Sequence, residues 1–163
     1  MGSYFGLNND CTSIMDALSR SQAIIQFDLT GKILTANKNF CQALGYELKE
    51  IVGKHHSMFV DPEEAKSADY QEFWRQLASG KFERRQYKRF GKNGRAIWIE
   101  ASYNPVLKGG KPVKVVKFAT DITQSKLKAI EDAAKLSAIS RSQAVIEFLP
   151  DGTIITANEN FCS

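Results

Sequence analysis

The stretch Ser19 to Cys41, SRSQAIIQFDLTGKILTANKNFC, returns as Ser140 to Cys162, SRSQAVIEFLPDGTIITANENFC, with 15 of 23 positions identical and an offset of 121 residues. Solenoid and propeller units run roughly 20–50 residues, so a spacing this long marks duplicated domains rather than stacked repeats. The second copy reaches only Ser163. The expected organisation is therefore a lead-in helix over 1–18, one whole domain over 19–123, a linker helix over 124–140 and the truncated start of a second domain over 141–163, a fragment of a longer protein. A hairpin without a sheet of its own is marginal in water, so the last segment is expected to fray or to pair with an edge on another chain.

Within the whole unit, Ile14, Met15, Ala17 and Leu18 fall on one face of a short lead-in helix. Ala23–Asp28 and Ile33–Ala36 are apolar, β-branched runs around the turn glycine Gly31, which predicts a hairpin. Asn37 precedes Phe40, Cys41 and Leu44 at helical spacing and Gly45 follows, predicting an N-cap and a stop. A helical turn is expected over 47–52. Tyr70, Phe73, Trp74 and Leu77 recur at three- and four-residue intervals over 67–79, the pattern of a helix packed on a sheet. Three strand-like runs follow, over 81–90, 95–106 and 113–122, separated by glycine turns. The order ββ, ααα, βββ predicts an α+β fold with a five-stranded antiparallel sheet, helices on one face, and flanking linker helices.

Composition narrows the function classes. A net charge of +4, from 22 basic and 18 acidic residues, is too mild and too mixed for a phosphate-binding face. The densest basic stretch, Lys81 to Arg95, alternates like a solvated strand face. No run of about 18 apolar residues is present to span a membrane. Cys11, Cys41 and Cys162 are odd in number and lack metal-site spacing, which suits a reducing compartment and makes the cytoplasm the expected location. No nucleophile elbow, phosphate loop or zinc-protease motif is present, so no catalytic residue is expected. His55 and His56 are adjacent and point apart on either regular backbone, so they do not chelate one metal together.

Taken together, FDLTGKILTANKNFCQALGY, ELKEIVGKHHSMFVDP, GKNGRAIWIEASYNPV and ATDIT, in this order, resemble a PAS domain over Ser19 to Thr123. Tandem copies opening on SRSQA and carrying HHSMFVDP look most like the sensory half of bacterial methyl-accepting chemotaxis proteins of the aerotaxis or energy-taxis type. The resemblance implies a cytosolic sensor, working as a homodimer, that signals through the linker helix to a second PAS domain and a helical signalling module.

It also implies where a ligand sits. The segment Gly53 to Pro62 joins two helices at the pocket wall of this fold and mixes imidazoles with Met58 and Phe59, the composition of a cofactor site. By similarity to flavin-binding relatives, His56 and Trp74 are the candidate FAD contacts, although Val60 and Ser102 stand where those relatives carry an arginine and an Asn-rich strand phrase. Haem is the second cofactor, with His55 or His56 as its axial ligand; a sensor of small metabolites and a cofactor-free module that pairs PAS units are the alternatives. Asp121 and Thr123 occupy the junction between the last strand and the linker helix, where N-capping would couple sheet to helix. The expected picture is one sheet wrapped around a small hollow, with the two imidazoles in its wall.

Overall fold

The computed structural model describes residues 5–162; the part of the lead-in expectation that falls on residues 1–4, and the thiol of Cys11, lie outside the described residues. The chain divides into two compact units, one ending at Thr123 and the other starting at Gln124. No helix among the described residues is long and apolar enough to cross a membrane.

In the first unit, α1 (Phe5–Ser21) leads into β1 (Ala23–Phe27) and β2 (Ile33–Ala36). The helix runs three residues past the expected boundary at residue 18, and Ile14, Met15 and Leu18 on its apolar stripe are exposed. The hairpin turn is shaped by Asp28, whose Oδ1 accepts from Thr30 N at 2.8 Å, Thr30 Oγ1 at 2.7 Å and Lys32 N at 3.0 Å, an Asx turn that holds the backbone without help from the strands. Helix α2 (Lys38–Leu44) starts at the expected cap, Asn37, and stops at Gly45, which adopts the left-handed φ of 76° that glycine takes at no steric cost.

Asn37 does more than cap. Its Oδ1 accepts from Phe40 N at 2.9 Å and Ile24 N at 3.0 Å, while its Nδ2 donates to Gln22 O at 2.8 Å and Ser19 O at 3.1 Å. Asn39 Nδ2 donates to Ser19 O and Arg20 O. Carbonyls left open at the C-terminus of α1 are thus satisfied by the residues that start α2.

Next come α3 (Leu48–Ile51), a 3-10 turn at His56–Phe59, α4 (Pro62–Lys66) and α5 (Ala68–Ala78). The α4 turn is absent from the sequence-based reading, although Asp61 as cap, Pro62 in the first turn and the acidic Glu63 and Glu64 behind it form a regular helix start. Ser67 caps α5, which buries Tyr70, Phe73, Trp74 and Leu77 as its periodicity predicts. Strands β3 (Glu83–Phe90), β4 (Ala96–Lys108) and β5 (Lys111–Asp121) complete an antiparallel sheet in the order β2-β1-β5-β4-β3. The central pairing sets Ile25 opposite Lys117, and Lys117 in turn opposite Tyr103.

Helices cover the sheet face that carries Ile25, Phe27, Ile97, Ile99, Ala101, Tyr103, Val115 and Ala119, all buried. Fully burying an aliphatic side chain such as Ile51 or Leu77 contributes about 1.5–3 kcal/mol. The expectation that Lys81 to Arg95 forms a solvated face is corrected at one position. Period-two alternation turns Tyr87 and Arg89 inward together, and Arg89 is only 3% exposed.

The second unit contains most of α6 (Thr123–Ser142), then β6 (Ile146–Phe148), β7 (Ile154–Ala157) and α7 (Glu159–Cys162). It reproduces the asparagine junction. Asn158 Oδ1 accepts from Val145 N and Phe161 N, and its Nδ2 donates to Ser140 O and Gln143 O at 2.6 Å each. The repeat in sequence is therefore a repeat of one structural device, a helix clasped to the hairpin that follows it.

Candidate functional site in the domain core

The two adjacent histidines take separate roles. His55 caps the 3-10 turn: its Nδ1 accepts from Ser57 N at 3.2 Å, so its proton lies on Nε2, which donates to Thr30 O at 2.8 Å. Together with the bridge between Lys32 and His55, this ties the hairpin turn to the HHSMF segment. The ring is exposed and its nitrogens are engaged, which makes it a structural clamp. Gly31 lies under the clamp with a φ of 91°; a Cβ there would stand 2.6 Å from His55 Nε2 and 2.8 Å from Trp74 Cε2.

His56 points inward and is completely buried. Its Nδ1 is 2.8 Å from the Tyr70 hydroxyl and its Nε2 is 3.0 Å from the Tyr103 hydroxyl. A neutral imidazole has one donor and one acceptor, so one phenol donates to the ring and the other accepts from it. Burial holds the imidazole well below its ordinary range, and the nearby Lys117, Arg89 and His55 add to the effect. Burial likewise pushes Tyr70 up to about 12 and Tyr103 higher still. All three groups are thus kept neutral, the form in which a low-dielectric interior tolerates them.

The expected hollow is filled. Around the His56 ring, centroids of Phe27, Trp74, Tyr103, Tyr70, Phe59 and Phe73 lie at 5.3, 5.5, 5.7, 5.9, 6.2 and 6.4 Å. Phe59 and Trp74 are buried parts of this cluster and Met58 packs against its edge. Interior space beside this cluster is a cavity of about 20 Å³ bounded by Ala23, Phe40, Ala43, Leu44, Phe59, Arg89, Ile99, Lys117, Ala119 and Asp121. Sites for drug-sized ligands run roughly 300–1,000 Å³. An isoalloxazine or porphyrin ring does not fit this arrangement, and both His56 nitrogens are engaged by phenols rather than open to an iron. Helix packing produces the difference: Tyr70 and Trp74, one turn of α5 apart, bring large rings into the space that HHSMF alone leaves open.

Sequence reasoning brings His55, His56, Met58, Phe59 and Trp74 to one region, and the structure agrees on that proximity. Ser102 lies on the opposite sheet face, where its Oγ accepts from Asn104 Nδ2 at 3.1 Å. The residues missed are Tyr103, Arg89 and Lys117. Their signal is phase: Tyr103 follows Ile97, Ile99 and Ala101 at intervals of two, and Lys117 stands between Val115 and Ala119 in the same register.

At the far end of the site is the junction. Trp98 N donates to Thr123 Oγ1 at 2.9 Å, Ile122 N donates to Trp98 O at 2.8 Å, and Asp121 Oδ1 accepts from Thr123 N at 2.8 Å. Asp121, which also lines the interior cavity, therefore fixes the first residue of α6.

Residues 33–119 match the family model described as the PAS fold. The chain belongs to the PAS family. Solved structures similar to it include a light-oxygen-voltage domain studied with a flavin analogue, at a TM-score of 0.59 and 19% identity over 77% of this chain and 96% of that one. A domain of a sensory box sensor histidine kinase/response regulator from Geobacter sulfurreducens matches at a TM-score of 0.61 and 18% identity, over 73% of this chain and all of that one. At such identities the PAS likeness is one of fold. Among curated relatives, the biofilm dispersion protein BdlA of Pseudomonas aeruginosa is 46% identical over 148 residues, covering 90% of this chain and 36% of that protein. The aerotaxis receptor of Escherichia coli K12 is 32% identical over 108 residues, covering 66% of this chain and 21% of that protein. The chain thus spans about a third and about a fifth of the length of these two relatives.

Proposed function

We propose that this PAS domain is the sensory part of a chemotaxis-type receptor, acts without catalysing a reaction, and reports a small molecule in its core through α6. The observation that carries this reading is Asp121, which borders the interior cavity and caps the helix leading to the second copy. A ligand that binds two arrangements of the core unequally shifts the balance between them, and any movement of β5 reaches α6 through Asp121 and Thr123. Kinship with the aerotaxis receptor supports the receptor context. Pairing with a second copy belongs to the same proposal, since Leu127 and Ile130 on α6 are exposed.

Signalling by the intact receptor tests it. Thr123→Val removes the hydroxyl that clasps Trp98, and output is expected to stop responding to stimulus; Thr123→Ser, which keeps the hydroxyl, is expected to restore it. Normal signalling by Thr123→Val would overturn the reading. The redox or oxygen alternative, through FAD or haem held by His55, His56, Met58, Phe59 and Trp74, is separated by the absorption spectrum of the purified chain. Neither flavin bands nor a Soret band is expected, and either one would return the core to that alternative.

A further inference from the structure

The core contains two basic side chains that line one cavity. Arg89, 3% exposed, donates from Nη1 to Glu64 Oε1 at 3.2 Å and to Lys88 O at 2.8 Å, but its Nε is buried with no hydrogen-bond partner. Lys117 is 1% exposed, and its ammonium faces the rings of Tyr103 at 4.8 Å and Phe40 at 5.9 Å. Both line the same cavity of about 20 Å³, whose remaining walls are mostly apolar. Room of this size admits one or two water-sized groups. Placing two cations side by side in a mostly apolar interior is expensive, and two cations facing one small space are what a compact anion offsets.

We propose that the space between Lys117 and Arg89 is a binding site for a small planar oxyanion, of the chemistry of formate, with one oxygen toward the Lys117 ammonium and the other toward Arg89 Nε. This deepens the sensor reading above and rests on it, naming the ligand class of that core. Apolar walls from Phe40, Leu44, Phe59 and Ala119 favour a carboxylate over a strongly hydrated multivalent ion, and the small volume excludes long-chain acids. Asp121, exposed at the edge of the same cavity, lets the anion act on the α6 cap. The charged and titratable groups facing Lys117 are Arg89 from β3, Tyr103 from β4 and His56 from the 3-10 turn, with Asp121 of β5 on the wall of the same cavity. Burial, reinforced by Arg89, holds the lysine well below its ordinary range, and an anion beside it opposes that shift by stabilising the ammonium. Affinity therefore rises as pH falls, by up to about tenfold per pH unit where one full proton is taken up.

Calorimetric titration of the full chain with sodium formate, at constant ionic strength against sodium chloride, is the test. Saturable one-to-one formate binding with proton uptake is expected, at least tenfold weaker for propionate. Lys117→Met is expected to weaken it tenfold or more. Ala119→Val, which narrows the cavity and keeps both cations, is expected to weaken it as well. Nitrate binding like formate would place recognition in the shared planar oxyanion and support the site. Equal binding of chloride, formate binding that survives Lys117→Met, or no binding by a chain of native circular dichroism would each overturn it. Since Thr123→Val acts downstream, a failed titration with a normal Thr123→Val effect sinks the oxyanion alone; an unaffected Thr123→Val receptor sinks the sensor reading beneath it.

Discussion

The imidazole of His56 is held between two phenols in a shell of aromatic rings, and its neutrality is a condition of the fold. Because burial holds its pKa well below the ordinary value of about 6.5, the unfolded chain takes up a proton below that value which the native state refuses. The stability it contributes is complete above about pH 6.5 and is lost as pH falls below it, by up to about 1.4 kcal/mol per unit. Urea unfolding midpoints are expected to drop between pH 7 and pH 5, and the drop is expected to shrink in His56→Gln, since glutamine does not titrate. An unchanged slope in that variant would place the acid sensitivity elsewhere. The histidine pair was visible in the sequence as chemistry, but its partners were not. Tyr103 lies 47 residues away and meets His56 only because β4 and the 3-10 turn face each other across the core. Lys117 and Arg89 were hidden for a different reason: hydropathy assigns a lysine or arginine to solvent, and only strand phase argues otherwise.

At the scale of elements, the clearest device is the clasp between a helix and the hairpin that follows it, seen once at Asn37 and again at Asn158. The sequence repeat announced it, since SRSQA and TANxNF return together, but their mutual hydrogen bonds needed the fold to be seen. A second device is the close meeting of the hairpin turn with His55 and Trp74 over Gly31. Alanine there meets both the left-handed backbone, which costs roughly 1–2 kcal/mol for an L side chain, and contacts under 3 Å with two rings. Gly31→Ala is expected to destabilise the domain by about 2–4 kcal/mol, read as a loss of about 8 °C or more in thermal midpoint. Gly152→Ala, at the equivalent turn with a φ of 88° and nothing within 4 Å of the added Cβ, is expected to show the backbone cost alone. Equal losses at the two glycines would show that the ring contact carries no energy. The α4 turn illustrates the reverse failing: its cap signals were local and complete, yet five residues carry too little periodicity to stand out beside α5.

Across the whole molecule, the two units differ in what they bury. Strand β1 sends Ile25 and Phe27 into a core and buries Ile24 on its other face, whereas in β6 and β7 no residue is fully buried, and α6 has none either. Hydrogen exchange is expected to protect the amides of β1, β4 and β5 most strongly and those of β6 and β7 hardly at all, because local opening there exposes little apolar surface. Comparable protection in both hairpins of the dilute chain would mean that the second copy finds a partner surface. Duplication, the succession of strands and helices along the chain, the caps at Asn37 and Gly45 and the helical face of α5 were all determined by the sequence itself, since each depends on residues close together along the chain or on a repeat. Whether the core is hollow was decided by tertiary structure alone. The rings that fill it come from β1, the HHSMF turn, α5 and β4, and the volume left over is a small difference between large packed volumes that no local pattern specifies.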